Sequence, residues 1–345
     1  MQPDFVNTRQ IANIWFMAFR RLLVFWVLIL CSVSLAWSQD DDPIRVDSSL
    51  VRLNVGVVDM KGRPITSLNK GNFELFEDGV RQEISRLEPS TAPFSVVILL
   101  DMSGSTLGFR QVIKQSAFRF VDALLPEDRV AVIEFYDKVN VRNDFTTDRG
   151  TIANSINVAN GRGKTQLYKA LDLALDKLEK EKSRRKAIIV LTDGVDTTVR
   201  DQDRSLLEPV ADSQIATAIK PETNDILNRV LNRSDAQGVT IYPLALPTGD
   251  PGKLADPTPR QVAMFKAARD RLAIVAARTG GTLNTINRLE EMGRLYAQVA
   301  ADLRTLYTVE YQSTNDKRDG KWRAIKIDVK NPELISRTRQ GYFAK

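Results

Sequence analysis

The chain has 345 residues, which is long enough for two domains with a sizeable core. It carries 49 Lys and Arg against 43 Asp and Glu, a net charge of +6 with both signs interspersed, and this balance does not point to nucleic acid as a partner. The sequence has no histidine, which excludes histidine metal sites, histidine general bases and Ser-His-Asp triads. Its one cysteine is Cys31, so oxygen ligands, amines and the backbone remain for any chemistry.

The first 38 residues have the pattern of an export signal. Arg20 and Arg21 precede an apolar run that ends at Leu35, and Ala36-Trp37-Ser38 places small residues at the two positions that a signal peptidase reads. About fourteen apolar residues are too few for a comfortable membrane span. We therefore predict a signal peptide over 1–38 and a periplasmic, cell-surface or secreted protein. An uncleaved anchor, which would hold the chain at the membrane, is the alternative.

Residues 44–93 are predicted to be β-structure. Apolar residues alternate with polar or small ones from Val51 to Val57, which is the period of a strand with one exposed face. Asp78-Gly79 lies between two apolar stretches and is a strong signal for a hairpin turn.

Residues 94–306 alternate between two other patterns. Four nearly continuous apolar runs, typical of strands covered on both faces, begin at Val96, Val130, Ala187 and Val239. Helical periodicity marks the segments 109–124, 167–178 and 289–303. The polar segments 201–236 and 247–262 contain prolines and are predicted to be surface loops, with one short helix near 223–235. This alternation predicts an open, mostly parallel α/β sheet with helices on both faces.

Residues 307–345 return to the β pattern. Tyr307–Tyr311 and Ile325–Val329 surround Asp319-Gly320, as the strands of a hairpin would. Neither end of the chain has enough strands for a stable two-layer core. We therefore predict that 44–93 and 307–345 pair into one small β-sandwich, with 94–306 inserted between them.

Two predicted strands end in oxygen-rich segments. The first α/β strand stops at Asp101 and continues Met-Ser-Gly-Ser-Thr, and the run from Ala187 stops at Thr192-Asp193-Gly194. Ligands of open α/β sheets bind beyond the carboxyl ends of the strands. Thr165 follows a glycine-rich turn between these strands, so two carboxylates and three hydroxyls would form a hard-oxygen site suited to a small cation such as Mg²⁺. The alternative is that Asp101 and Ser105 only cap the first helix.

These residues together resemble the metal-ion-dependent adhesion site (MIDAS) of von Willebrand factor type A (VWA) domains, through Asp-x-Ser-x-Ser, a later Thr and Thr-Asp-Gly. The flanking segments Phe73–Gly79 and Trp322–Ile325 resemble those of a bacterial family of exported VWA proteins. The resemblance implies a divalent cation, Mg²⁺ first and Mn²⁺ or Ca²⁺ as alternatives, whose last coordination position is filled by an Asp or Glu of a protein partner. The residues that it implies as metal ligands are Asp101, Ser103, Ser105, Thr165 and Asp193. Asp196 is predicted to be a turn or surface carboxylate instead.

The function predicted from these features is an exported, metal-dependent protein-binding or adhesion module. One alternative is an envelope scaffold whose metal site is purely structural. Another is a Mg²⁺-dependent hydrolase, which would need a general base or a nucleophile beside the metal. No residue of the sequence can be assigned that role, so we expect no enzymatic activity.

Overall fold

The computed structural model describes residues 50–61, 63–89, 93–181, 184–253, 255–286 and 291–344, all of which belong to one compact unit. The predicted signal peptide over 1–38 and the first residues of the 44–93 segment lie outside these ranges. Within the ranges, none of the helices combines the length and the apolar character that crossing a membrane requires.

The central sheet of the described structure has the strand order β10-β9-β8-β5-β6-β7. Its strands are β5 (Phe94–Asp101), β6 (Arg129–Phe135), β7 (Val139–Thr146), β8 (Arg185–Thr192), β9 (Val239–Ala245) and β10 (Asn284–Thr285). All neighbours are parallel except β7, which runs antiparallel to β6. Every residue of β5 and β9 is buried, as continuous apolar strands require. The predicted open, mostly parallel sheet is confirmed.

Helices cover both faces of this sheet. They are α1 (Arg110–Ala123), α2 (Arg149–Val158), α3 (Leu167–Glu179), α4 (Thr197–Leu207), α5 (Ile215–Ala218), α6 (Asp225–Gln237), α7 (Pro259–Thr279) and α8 (Met292–Arg304). Alternate residues of β5 enter two separate cores, Ile98 with α1 and α8, and Leu99 with α3, α6 and α7. Phe120 of α1 contacts Tyr296 of α8, with ring centroids 5.6 Å apart. The three predicted helices and the short helix near 223–235 are confirmed.

The prediction of surface loops over 201–236 and 247–262 is wrong in three places. Helix α5 (Ile215–Ala218) lies inside the first segment, with Ile215 buried. Helix α4 continues to Leu207, and its buried face consists of Val199, Asp203 and Leu207, so a buried aspartate interrupts the apolar stripe that the pattern relied on. Helix α7 starts at Pro259, inside the second segment, with a Thr258 capping box and proline at its first position. Proline is favourable there because the first helical N–H needs no partner.

The two ends of the chain form a sandwich of two antiparallel sheets, with orders β13-β1-β11-β4 and β14-β12-β2-β3. The strands are β1 (Leu50–Asp59), β2 (Phe73–Glu77), β3 (Val80–Gln82), β4 (Ile84–Pro89), β11 (Tyr307–Gln312), β12 (Trp322–Val329), β13 (Leu334–Arg337) and β14 (Gly341–Phe343). One apolar core joins the sheets through residues such as Leu53, Leu75, Val309 and Ile327. Both chain ends contribute strands to each sheet, as predicted.

Of the two predicted hairpin turns, one is confirmed and one is wrong. Asp78 and Gly79 have φ values of 49° and 80°, and they connect the paired strands β2 and β3. The residues Asp319-Gly320 do not close a hairpin, because β11 pairs with β1 and β4 whereas β12 pairs with β2 and β14. The chain crosses from one sheet to the other here, so a turn signal alone did not identify the pairing.

The sandwich contacts the ends of α6 and α7 that face the amino ends of the sheet strands. Arg278 of α7 stacks on Trp322 at 4.4 Å, and Arg339 donates a hydrogen bond to the carbonyl oxygen of Asp235 in α6 at 2.8 Å. Because Val239 starts β9 directly after α6, this contact lies at the amino edge of the sheet. The carboxyl edge, where ligands of such sheets bind, is at the opposite end.

Candidate metal centre

Two buried carboxylates lie next to each other at the carboxyl edge of the sheet. Asp101 is the last residue of β5, and Asp193 follows directly after β8, its parallel neighbour, with Leu100 in register with Leu191. Asp101 is fully buried and Asp193 is 2% exposed. The strand register therefore brings together carboxylates that are far apart in sequence.

The segment after β5 folds back on itself and presents two serines beside Asp101. The Ser103 N–H donates to Asp101 Oδ1 at 3.0 Å, and Thr106 Oγ1 donates to the carbonyl oxygens of Asp101 and Ser103 at 2.8 and 3.1 Å. The hydroxyls of Ser103 and Ser105 are 3.2 Å apart. This loop conformation holds both hydroxyls on the side of the buried carboxylates.

The alternative that Asp101 and Ser105 cap the first helix is wrong. A 3₁₀ turn over Leu107–Phe109 separates them from α1, which starts at Arg110. Neither the turn nor the helix has a side-chain hydrogen bond at its N-cap. The motif therefore does not satisfy helix N–H groups.

Thr165 completes the group of predicted site residues. Its N–H donates to Thr197 Oγ1 and its carbonyl oxygen accepts from the Thr197 N–H, both at 3.0 Å. The Gly163 carbonyl oxygen, two residues earlier, accepts from the Gly104 N–H at 3.0 Å. The segment is thus hydrogen-bonded to both of the other loops. Ser105, Thr165 and Asp193 line one cavity of about 460 Å³.

The electrostatics of this pair of carboxylates are unfavourable for two negative charges. Burial, and next the charge of Asp193, raise the pKa of Asp101 to about 7, against the hydrogen bonds from Ser103 and Thr192. Burial also raises the pKa of Asp193, although the Ser105 hydroxyl and the Val195 N–H, 3.0 Å from Asp193 Oδ1, favour its charged form. A divalent cation would stabilise both charged forms.

The donor set fits such a cation. It consists of two carboxylates and three hydroxyls, which are hard oxygen ligands of the kind that Mg²⁺ and Mn²⁺ prefer. Mg²⁺ is usually held by one or two carboxylates together with waters, and here the cavity leaves space for waters or for a ligand. Asp101, Ser103, Ser105, Thr165 and Asp193 could therefore hold the ion.

The titration of Asp101 predicts a pH dependence of stability in the metal-free protein. Because the pKa of Asp101 is about 7 in the folded state and 3.8 for an ordinary aspartate, the folded state binds more protons between these values, and stability falls as pH rises through the window. We expect wild type to lose about 2 kcal/mol relative to Asp101→Asn between pH 5 and pH 7.5 in urea titrations with chelator. Parallel stability curves of the two proteins would contradict this. Added Mg²⁺ should remove the loss.

Asp196 is a helix cap. Its Oδ1 accepts from the N–H groups of Thr198 and Val199 at 2.9 and 3.2 Å, and its Oδ2 accepts from the Tyr168 N–H at 3.3 Å. At 5% exposure it is buried, and it caps a helix, so the prediction of a turn or surface carboxylate is wrong. These bonds fix the start of α4 and tie it to α3.

Sequence reasoning missed several residues that support the site. Thr192 Oγ1 donates to Asp101 Oδ2 at 2.7 Å and also accepts from the Gly194 N–H at 3.1 Å. Thr106 and Thr197 hold the loops as described above. For Thr192, the one sequence feature that could have indicated its role is a hydroxyl residue at the end of an apolar strand. The hydrogen-bond partners of Thr106 and Thr197 depend on how distant loops fold.

Gly249 packs directly against the site and provides a test of its geometry. A Cβ at this buried position would lie 2.0 Å from the carbonyl oxygen of Asp193, so Gly249→Ala must displace the backbone there. We expect at least about a 10-fold loss of Mn²⁺ affinity in calorimetric titration, as for changes next to metal ligands. Gly108→Ala is the control, because its Cβ meets nothing within 4 Å. Equal affinities of the two variants would contradict the proposed packing.

Comparison with known proteins finds a family match within the α/β region. Residues 96–195 match the family model of the von Willebrand factor type A domain. Among solved structures the chain is similar to the vWF domain of the type V pili tip protein Mfa5 from Porphyromonas gingivalis, with 16% identity over 62% of this chain and 96% of that chain and a TM-score of 0.46. It is also similar to a von Willebrand factor type A protein from Catenulispora acidiphila, with 15% identity over 79% of this chain and 63% of that one and a TM-score of 0.45.

A third similar structure is proximal thread matrix protein 1 from the mussel byssus, which was solved with a zinc occupied MIDAS motif. The identity is 15% over 65% of this chain and 48% of that chain, with a TM-score of 0.45. A comparison with curated proteins found no significant match.

Proposed function

We propose that this chain, whose α/β region contains a von Willebrand factor type A domain, is an exported module that binds a partner protein through a divalent cation. The cation is held by Asp101, Ser103, Ser105, Thr165 and Asp193, and an Asp or Glu of the partner completes its coordination. Domains of this family generally mediate protein–protein interaction and adhesion. Mg²⁺ is the first candidate, with Mn²⁺ and Ca²⁺ as alternatives.

One observation carries the proposal. Asp101 and Asp193 are both buried at neighbouring strand ends, where each charge opposes ionisation of the other, and hydroxyls surround them on the side of an open cavity. A cation there would compensate the two charges and still have a position facing the cavity. Because most of its other ligands are neutral, it would attract an incoming carboxylate strongly.

Two other functions have less support. In a hydrolase a side chain near the cation would act as the base, but Asp101 and Asp193 are needed as ligands and the sequence has no histidine. Asp137 is the remaining carboxylate among the residues that line the cavity. A purely structural cation would be enclosed by protein, whereas Ser105 is exposed and lines the cavity. An open coordination position favours ligand binding over a structural role.

The test is a pull-down with the immobilised protein from an envelope extract of the source cells, carried out in Mg²⁺ and in chelator. We expect a partner that is retained with Mg²⁺ and released by chelator, and that Asp101→Asn does not retain. Equal retention by wild type and Asp101→Asn would refute the metal-dependent binding function. If Asp101→Asn also abolishes a Mg²⁺-dependent rise in melting temperature without any partner being found, the structural-site alternative is favoured.

Export is proposed from the sequence of residues 1–38. Cell fractionation followed by N-terminal sequencing tests it. We expect a mature chain that begins directly after Ser38 in the periplasmic, surface or culture fraction. An intact N-terminus in the membrane fraction would favour the uncleaved anchor, and an intact N-terminus in the cytoplasm would refute export.

A further inference from the structure

The cavity beside the candidate metal centre has a cationic side that the proposed cation does not use. Lys164 and Arg200 line the same cavity as Ser105, Thr165 and Asp193. Lys164 directly precedes Thr165, and Arg200 lies in the first turn of α4, which starts just after Asp193. Both positive charges are therefore attached to segments that also carry metal-site residues.

Arg200 has little compensation for its charge. Its guanidinium reaches Asp201 Oδ1 at 3.3 Å, but Asp201 is half-exposed and also lies 3.6 Å from Arg204. Arg200 Nε is buried and has no hydrogen-bond partner within the described part of the chain. Since a solvent-exposed ion pair contributes little, most of the binding capacity of this guanidinium remains available.

The ammonium group of Lys164 is also available to bind a ligand. Its backbone N–H donates to Asp137 Oδ1 at 2.6 Å, whereas its ammonium group makes no ion pair within 4 Å among residues that the structure describes. Thr248, which also lines the cavity, has a buried hydroxyl without a hydrogen-bond partner in the same set of residues. The cavity thus offers two cationic donors and one neutral donor.

The net charge of the cavity favours an acidic ligand once the cation is bound. A divalent cation balances Asp101 and Asp193, and the remaining charged lining residues are Lys164, Arg200 and Asp137. Asp137 offsets one of the two positive charges, and its Oδ1 also accepts the Lys164 backbone N–H. An excess of positive charge faces any ligand that reaches the cation.

We infer that the partner presents an exposed acidic segment with two carboxylates, one for the cation and a second for Arg200 and Lys164. This inference rests on the proposed function and adds the class of ligand to it. Arginine can bind a carboxylate through two parallel hydrogen bonds, and the Thr248 hydroxyl can donate a further one. A ligand with a single carboxylate would leave these donors unused, so the second carboxylate determines specificity.

The test is selection of random peptides displayed on phage against the immobilised full-length protein in Mg²⁺, with elution by chelator. We expect the eluted peptides to be enriched in pairs of acidic residues. In a synthetic peptide from this pool, replacing either acidic residue with its amide should weaken binding. Arg200→Gln and Lys164→Gln should each weaken binding of the two-carboxylate peptide about 5-fold and make one of its carboxylates dispensable. Affinity should also fall with added salt.

Arg204→Gln is the matched control, because Arg204 lies one turn further along α4, contacts the same Asp201 and does not line the cavity. Mn²⁺ affinity, measured in parallel, should not fall in any of these variants. Chelator-eluted peptides that require only one carboxylate, or equal losses in Arg200→Gln and Arg204→Gln, would overturn the inference and leave the proposed function intact. Failure of wild type to bind Mn²⁺ would instead overturn the proposed function.

Discussion

Asp101→Asn is expected to lower the affinity for Mg²⁺ or Mn²⁺ by at least about 100-fold while preserving the fold. Loss of a group that only positions a ligand typically costs 10–100-fold, and a charged ligand of the ion contributes more. Asparagine keeps the shape of the side chain and can accept the Ser103 N–H, while its amide faces Thr192. The change also removes one of two repelling buried charges, so the metal-free variant should be at least as stable as wild type near neutral pH. Calorimetric Mn²⁺ titration and urea unfolding measure the two effects.

Asp196→Asn provides the matched control for Asp101→Asn. Both aspartates are buried near the same loops, but Asp196 accepts backbone N–H groups at the start of α4. Asparagine is as good an N-cap as aspartate, but its amide would face the Tyr168 N–H that Oδ2 accepts, so we expect a loss of about 1 kcal/mol of stability. The variant should retain its cation affinity within about 3-fold. If Asp196→Asn lost as much affinity as Asp101→Asn, the assignment of Asp101 as a ligand and Asp196 as a cap would be wrong.

The sequence was sufficient to predict the parts of the site that follow from strand ends. A continuous apolar run identifies β5 and β8, parallel pairing brings their carboxyl ends together, and this places Asp101 beside Asp193. The close approach of Gly249 to the Asp193 carbonyl oxygen could not be predicted in this way. It depends on how the loop after β9 packs, and that loop has neither hydrophobic periodicity nor a motif.

The fold also differs from the prediction where the structure depends on contacts between residues distant in sequence. The two ends of the chain were predicted to share a sandwich because each had too few strands alone. The pairing within the sandwich could not be derived, since the Asp319-Gly320 signal describes a local turn and says nothing about which strands it separates. Helix α4 was missed because burial of Asp203 requires a partner on another helix, and that partner is distant in sequence.

That partner, Arg271 of α7, gives the largest predicted effect on stability. Its guanidinium donates to Asp203 Oδ2 at 2.7 Å and to Asp203 Oδ1 at 2.6 Å, and both side chains are almost completely buried. Removing one member of a buried pair leaves the other charge without compensation, which typically costs 3–5 kcal/mol. We therefore expect Arg271→Met to lower the free energy of unfolding by about 3–5 kcal/mol in urea titrations.

A double-mutant cycle with Arg271→Met and Asp203→Leu separates this electrostatic effect from a loss of packing. Replacing both charges with apolar residues of similar volume should restore most of the stability, because no uncompensated charge remains. Each single variant should also bind Mn²⁺ more weakly than the double variant, since α4 starts four residues after Asp193 and Leu272, the neighbour of Arg271, packs against Gly194. A loss below about 1 kcal/mol in Arg271→Met would show that solvent or another group compensates Asp203. A double variant as unstable as the singles would show that the pair contributes mainly through shape, and α4 would then be positioned by packing against α7 alone.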